Sequence, residues 1–188
     1  MLPMPEKRDR KETMDAAIKS LWKTAFDDND AFIDSFIDGM KKRYSRYTIT
    51  ANDVLVSMLH VIQFEMDGFL VGYIYGVATA PESRGRGYAS RIIRKAIDEC
   101  RKQGFDALAT IPADEKLRLY YRKFGFEGCY RTLFRSPDNF DFGTGDSEKD
   151  LSCILPLNNT FTLPAKQSTV VLQLSPDTKA RKTNKETV

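Results

Sequence analysis

Histidine occurs once in this chain, at His60, and that scarcity excludes a histidine-based zinc site. Cysteine is nearly as rare. Cys100, Cys129 and Cys153 are odd in number, widely spaced and without any C-x-x-C pair, so they frame neither a disulfide scaffold nor a metal knuckle. Cys100 falls on the apolar side of a helical pattern and reads as a small core residue, and the thiols fit a reducing cytoplasm. No apolar run approaches the ~20 residues of a bilayer span. Met1-Leu2-Pro3-Met4-Pro5, followed by charges, is no signal peptide, so a cytoplasmic protein without membrane partners is expected. A large charge excess is missing too: 29 basic against 26 acidic residues give +3, which speaks against a nucleic-acid partner. What remains is ordinary globular material, 41% hydrophobic and 29% charged, in 188 residues that suffice for one domain with a sizeable core.

Against that background one run stands out: Val77-Ala78-Thr79-Ala80-Pro81-Glu82-Ser83-Arg84-Gly85-Arg86-Gly87-Tyr88-Ala89-Ser90. It reads as a strand stopped by Pro81, a tight loop from Arg84 to Gly87, and the start of a helix. Gly85 and Gly87 remove side chains where backbone must approach a ligand, and they permit positive φ. The amides of Arg86 through Ser90 become the unpaired donors of a helix's first turn, an anion site to which Arg84 and Arg86 add permanent charge. The pattern predicts a phosphate-gripping loop. A Walker loop is excluded, since no Gly-Lys-Ser/Thr closes it. A dinucleotide fingerprint fits only with Ser90 in its last glycine place, and it should open on a first strand, whereas much sequence precedes this one. Arg84-Gly85-Arg86-Gly87-Tyr88-Ala89 instead satisfies R-x-x-G-x-G/A.

Downstream, Ala89, Ile92, Ile93, Ala96, Ile97 and Cys100 recur at helical spacing, and Lys102-Gln103-Gly104 supplies a basic last turn followed by glycine. Ala107-Leu108-Ala109-Thr110-Ile111 reads as a buried strand broken by Pro112. Asp114 or Ala113 opens a second helix from Glu115 to Phe124, ending at Gly125. That helix contains Tyr121-Arg122-Lys123-Phe124-Gly125-Phe126. The two motifs, in this order and on these elements, resemble the acetyl-CoA pyrophosphate loop and the closing Tyr-x-x-x-Gly-Phe signature of the GCN5-related N-acetyltransferases (GNAT).

Upstream, Met14, Ile18, Leu21, Trp22 and Ala25 mark one amphipathic helix, and Phe32, Ile33, Phe36, Ile37 and Met40 a second, capped by Asn29 or Asp30. Tyr47-Thr48-Ile49 and Val54 through Met66 follow as strands around an Asn52-Asp53 turn. Asp67-Gly68 is a two-residue hairpin signal before a strand from Phe69 into the loop. After Tyr130, Arg131 to Arg135, Leu151 to Leu155 and Thr169 to Leu174 read as strands, and Ser136 to Lys149 as an exposed loop. One domain is expected over 13–174, with 1–12 and 175–188 as flexible tails. The order suits an α+β protein. The resemblance implies the GNAT acyl-CoA N-acyltransferase fold, a central mixed, mostly antiparallel sheet flanked by helices.

Within the family, the segment from Leu21 to Phe126 is similar to the bacterial enhanced-intracellular-survival (Eis) branch. The similarity lies in Leu21-Trp22, Phe26-Asp27-Asp28, Phe32-Ile33-Asp34, Val56-Ser57-Met58-Leu59, Tyr73 through Thr79 and Ile111-Pro112-Ala113. Proteins of that branch carry further domains and a catalytic terminal carboxylate. That role is not carried over to Val188.

The resemblance implies an enzyme that moves acetyl from acetyl-CoA, its cosubstrate, to a small-molecule or peptide amine, without a metal. Val77, Ala78 and Thr79 would meet the pantetheine arm at a bulged strand, and Arg84, Gly85, Arg86, Gly87, Tyr88, Ala89 and Ser90 the pyrophosphate. Tyr121 would be the general acid, since a phenol of pKa about 10 can protonate a departing thiolate without being ionised at neutral pH. Tyr120 is the adjacent rival, turned away by roughly 100° of helix. A lysine-like amine must lose a proton at a cost of about 4.6 kcal/mol at pH 7. His60, Glu65 and Glu127 are the nearest things to a base, and none rises above a water chain. The other reading is a catalytically silent acyl-CoA-binding module. Homo-oligomerisation stays open.

Overall fold

The computed structural model describes residues 7–40, 43–136 and 151–174. Two helices come first, α1 (Lys7–Phe26) and α2 (Asp30–Gly39). Asn29 caps α2, its side chain accepting from Phe32 N at 2.9 Å, and Trp22 Nε1 donates to Asp28 in the same connection at 2.8 Å. The strands β1 (Tyr44–Ala51), β2 (Val54–Met66) and β3 (Phe69–Thr79) form an antiparallel meander. A short 3₁₀ turn (Pro81–Ser83) leads to α3 (Tyr88–Lys102), then β4 (Ala107–Thr110), α4 (Glu115–Arg122), β5 (Glu127–Arg135), β6 (Leu151–Pro156) and β7 (Thr169–Leu174). Helix α1 already runs at Lys7, inside the span read as an N-terminal tail over 1–12. Lys7 to Glu12 is all helix-favouring charge apart from Asp9, which apolar periodicity alone does not register. The expected tail over 175–188, and Pro137 to Lys149 of the expected loop, lie outside the described residues.

The strands make one seven-stranded mixed sheet in the order β1-β2-β3-β4-β6-β5-β7. Among the described residues only β3–β4 and β5–β7 pair in parallel. The sheet also closes on itself: β7 returns to β2 through Phe64↔Leu174 and Glu65↔Gln173, on from the stretch that β1 occupies. Alternation along β2 divides the core between two layers. Met58, Ile62, Phe64 and Met66 face one cluster with Ile18, Trp22, Ile33 and Phe36 of the first two helices and Leu172 and Leu174 of β7. Leu59 and Val61 face the other, with Ile92, Ile93, Ala96, Ile97 and Cys100 of α3 and Tyr121 and Phe126 beyond it. Full burial of each large aliphatic side chain contributes about 1.5–3 kcal/mol, and these two layers hold the sheet between the helices.

Two irregularities in β3 prepare the site. Its parallel pairing with β4 covers only Val71, Gly72 and Tyr73, opposite Ala107 to Ala109, so the two strands fork from Ile74 onward. Against β2 the register jumps from His60↔Tyr75 to Met58↔Ala78, which leaves Gly76 and Val77 opposite Leu59 as a bulge. Gly76 takes φ +59° there, a conformation that glycine adopts without steric cost.

Candidate active site

The site begins where β3 ends. Pro81 cannot extend the ladder, and the chain turns tightly, with Ser83 N bonded to Ala80 O at 2.8 Å and Arg84 N to Pro81 O at 3.3 Å. Gly85 and Gly87 follow at φ +74° and +77°. A Cβ at either would meet nothing within 4 Å, so glycine is required for backbone conformation and for leaving the loop's surface bare. Gly87 is the N-cap of α3, and the helix's first bond is Arg91 N to Gly87 O at 3.0 Å. The amides of Tyr88, Ala89 and Ser90 therefore have no carbonyl within the helix to bond and carry its positive dipole end. Arg84 folds back, its Nε donating to Thr79 O at 3.3 Å.

These parts surround a cleft of about 800 Å³, lined by Thr79, Ser83, Arg84, Gly85, Gly87, Tyr88, Ala89 and Ser90 on one side. Asp114, Lys116, Leu117 and Tyr120 of α4 and its cap form the other. Seven of the ten expected positions thus split from three: Arg86 is exposed on the loop, and half-buried Val77 and buried Ala78 lie deeper along β3, none of them in the cleft lining. Ala78 O already accepts from Ser57 Oγ at 2.9 Å, and the same hydroxyl lies 3.0 Å from Thr79 Oγ1. Ser57 is wholly buried and holds the far end of the bulge in register. A phosphate-bearing chain fits this arrangement by its chemistry, with free amides and arginine at the mouth and an unpaired strand edge leading inward.

Tyr121 is buried, edge-on to Phe126 at 5.5 Å. Burial pushes its phenol up to about 12, with the Thr110 hydroxyl as the polar neighbour that opposes the rise. Thr110, the last residue of β4, donates to Ile74 O at 3.3 Å. Ile74 is the first residue of β3 past the paired segment, so the phenol belongs to the group of residues at the apex of the fork. Arg118, one turn earlier on α4, is buried and donates to Leu151 O at 3.0 Å while pairing with Glu115 at 3.3 Å, which anchors the helix to the sheet.

Tyr120 is not turned away from the site. Its hydroxyl lies 2.9 Å from Ser90 Oγ, in the cleft. The helical offset from Tyr121 holds: Tyr120 reaches the cleft, while Tyr121 is buried in the cluster with Phe126 and the apolar face of α3. No pattern in the sequence marked Ser57, Thr110 or Ser90–Tyr120 as pairs, because each bond joins elements far apart in the chain.

Among the three residues weighed as a base, Glu65 and Glu127 are exposed. His60 is fully buried among Trp22, Phe36 and Tyr44, and burial, with Arg46 adding, depresses its imidazole to about 3. A ring held neutral so firmly is a poor proton acceptor. Among the described residues no group of three or more His, Cys, Asp or Glu is placed to hold a metal ion, and no helix is long and apolar enough to cross a membrane.

Known structures share this architecture. The GNAT N-acetyltransferase YhbS of Escherichia coli, crystallised with CoA, is 14% identical over 93% of this chain and 88% of its own, with a TM-score of 0.63. A GNAT acetyltransferase of Brucella melitensis in complex with acetyl-CoA is 13% identical over 89% and 92%, with a TM-score of 0.55. A GCN5-related N-acetyltransferase of Kribbella flavida is 25% identical over 63% of this chain and 32% of its own, at 0.51. A comparison with curated protein sequences returns no match. The family model described as an acetyltransferase (GNAT) domain matches residues 7–129, and with the forked strands and glycine loop in place the chain belongs to the GNAT acetyltransferase family.

Proposed function

We propose that this chain transfers the acetyl group of acetyl-CoA to a primary amine by direct attack, with Tyr121 as the general acid. The observation that carries the reading is the continuity of the fork. It runs from the bare amides of Tyr88, Ala89 and Ser90, past the unpaired edge of β3, to the group of residues that includes Tyr121. In this reading the amides and Arg84, with Arg86 from the loop's outer face, hold the pyrophosphate. Backbone groups of Val77 and Thr79 align the pantetheine arm, as an added strand would. The Tyr121 phenol, kept protonated by burial, gives its proton to the leaving thiolate. None of the three side chains weighed as a base suits that role, so in this reading the ammonium proton leaves through water. The acceptor in this reading is a small-molecule or peptide amine.

A screen of amines with acetyl-CoA and thiol detection tests this reading. Amine-dependent thiol release that follows acetylated product supports it. Tight CoA binding with no turnover on any amine points to the silent module instead.

A further inference from the structure

We propose that Tyr120 is a positioning residue: through Ser90 it fixes α4 against the head of α3 and so aims the Tyr121 hydroxyl at the fork. The inference rests on the assignment of Tyr121 as the acid. Tyr120 Oη and Ser90 Oγ are 2.9 Å apart, and both residues line the cleft. Ser90 stands in the first turn of α3, among the amides assigned to the pyrophosphate. A neighbouring contact between α3 and the segment just past α4 is less directional: the Arg94 guanidinium lies 5.3 Å over Phe124, whose ring is in turn edge-on to Tyr120 at 5.3 Å. The hydroxyl pair is thus the bond that fixes rotation of α4 about its own axis on the cleft side.

That rotation matters because α4 has only 8 residues, and Tyr121 follows Tyr120 directly. A turn of about 10° moves an atom ~6 Å from a helix axis by about 1 Å, and a misplacement of that size can cost 10²-fold in rate. Arg118 and the Asp114 cap, which accepts from Leu117 N at 2.7 Å, hold the start of α4. Tyr120 holds the end that carries the acid. The same bond joins the first turn of α3 to the immediate neighbour of the acid, so the grip on phosphate and the placement of the proton donor share one support.

Tyr120→Phe keeps the ring on Phe124 and removes only the hydroxyl; Ser90→Ala removes its partner. Each should slow enzyme-dependent thiol release from acetyl-CoA about tenfold, with acetyl-CoA affinity by calorimetry within about twofold of the parent. The double variant should be no slower than either single one, and Tyr120→Phe should add nothing in a Tyr121→Phe background. Independently of turnover, the ¹³C-tyrosine ring signals of Tyr121 at neutral pH, which sense the Phe126 ring, should move in both single variants. Lost affinity at unchanged rate would assign Tyr120 to the phosphate grip and overturn the proposal, as would additive rate losses or unmoved Tyr121 signals. A parent protein that binds no acetyl-CoA would overturn the proposed function instead, and the Tyr121 signals would still decide whether Tyr120 orients its neighbour.

Discussion

Arg84 Nε donates to the carbonyl oxygen of Thr79 at 3.3 Å, so the cationic residue of the loop also secures the last residue of the strand before it. A lysine cannot reproduce this, because only the guanidinium offers an Nε donor alongside its terminal nitrogens. Arg84→Lys should therefore retain part of the phosphate attraction while loosening the turn. Arg84→Ala should lose roughly 1.5–3 kcal/mol of acetyl-CoA binding, about ten- to a hundredfold, with Arg84→Lys in between. Gly87→Val, which forces a β-branched residue to φ +77°, should weaken binding at least as much. Calorimetry on folded variants measures all three, and unchanged affinity throughout would remove the pyrophosphate from this loop.

His60 gives the fold a pH dependence of a definite sign. Its folded-state imidazole is depressed to about 3 from an ordinary value of 6.5, so the neutral ring is favoured by folding. That contribution is complete above pH 6.5 and is lost as pH falls toward 3, as the unfolded chain takes up a proton that the folded one refuses. Between pH 7.5 and 4.5 the loss should be about 2–3 kcal/mol. Urea unfolding at the two pH values should show a smaller loss in His60→Phe than in the parent; equal losses would mean that His60 titrates normally.

Gly72 marks how closely β3 and β4 approach before they fork. A Cβ there would lie 2.6 Å from Leu108 Cδ2 and 2.7 Å from Val61 Cγ1. Gly72→Ala should cost about 1–3 kcal/mol in unfolding free energy through overpacking. A neutral substitution would show that the paired segment of the fork is looser than its packing implies.

The loop, α3 and α4 were legible in the sequence because their signals are local. Pro81, Gly85, Gly87 and Gly104 punctuate the chain, and Ile92, Ile93, Ala96, Ile97 and Cys100 repeat at helical spacing; all five are buried on one face. The bulge at Gly76 also followed the expected course of the strand. The return of β7 to β2 was not legible, since Phe64↔Leu174 joins residues far apart and alternation alone names no partner. The contrast between Tyr120 and Tyr121 was half legible. Helical geometry separates the two side chains, but which of them meets the cleft depends on where α3 lies against α4, set by Ser90 and Arg94.

The most direct test of the account is kcat for Tyr121→Phe with an amine from the screen. Phenylalanine keeps the ring against Phe126 and removes only the proton, so folding and acetyl-CoA affinity should match the parent. Because burial holds the phenol up at about 12, the parent's rate should show no loss from its ionisation between neutral pH and pH 9. The expected result is a kcat lower by 10²–10⁴-fold, the usual range for loss of a general acid, with KM for acetyl-CoA little changed. A Tyr121→Phe protein that turns over at the parent rate would contradict the assignment and leave the fork to work by positioning alone.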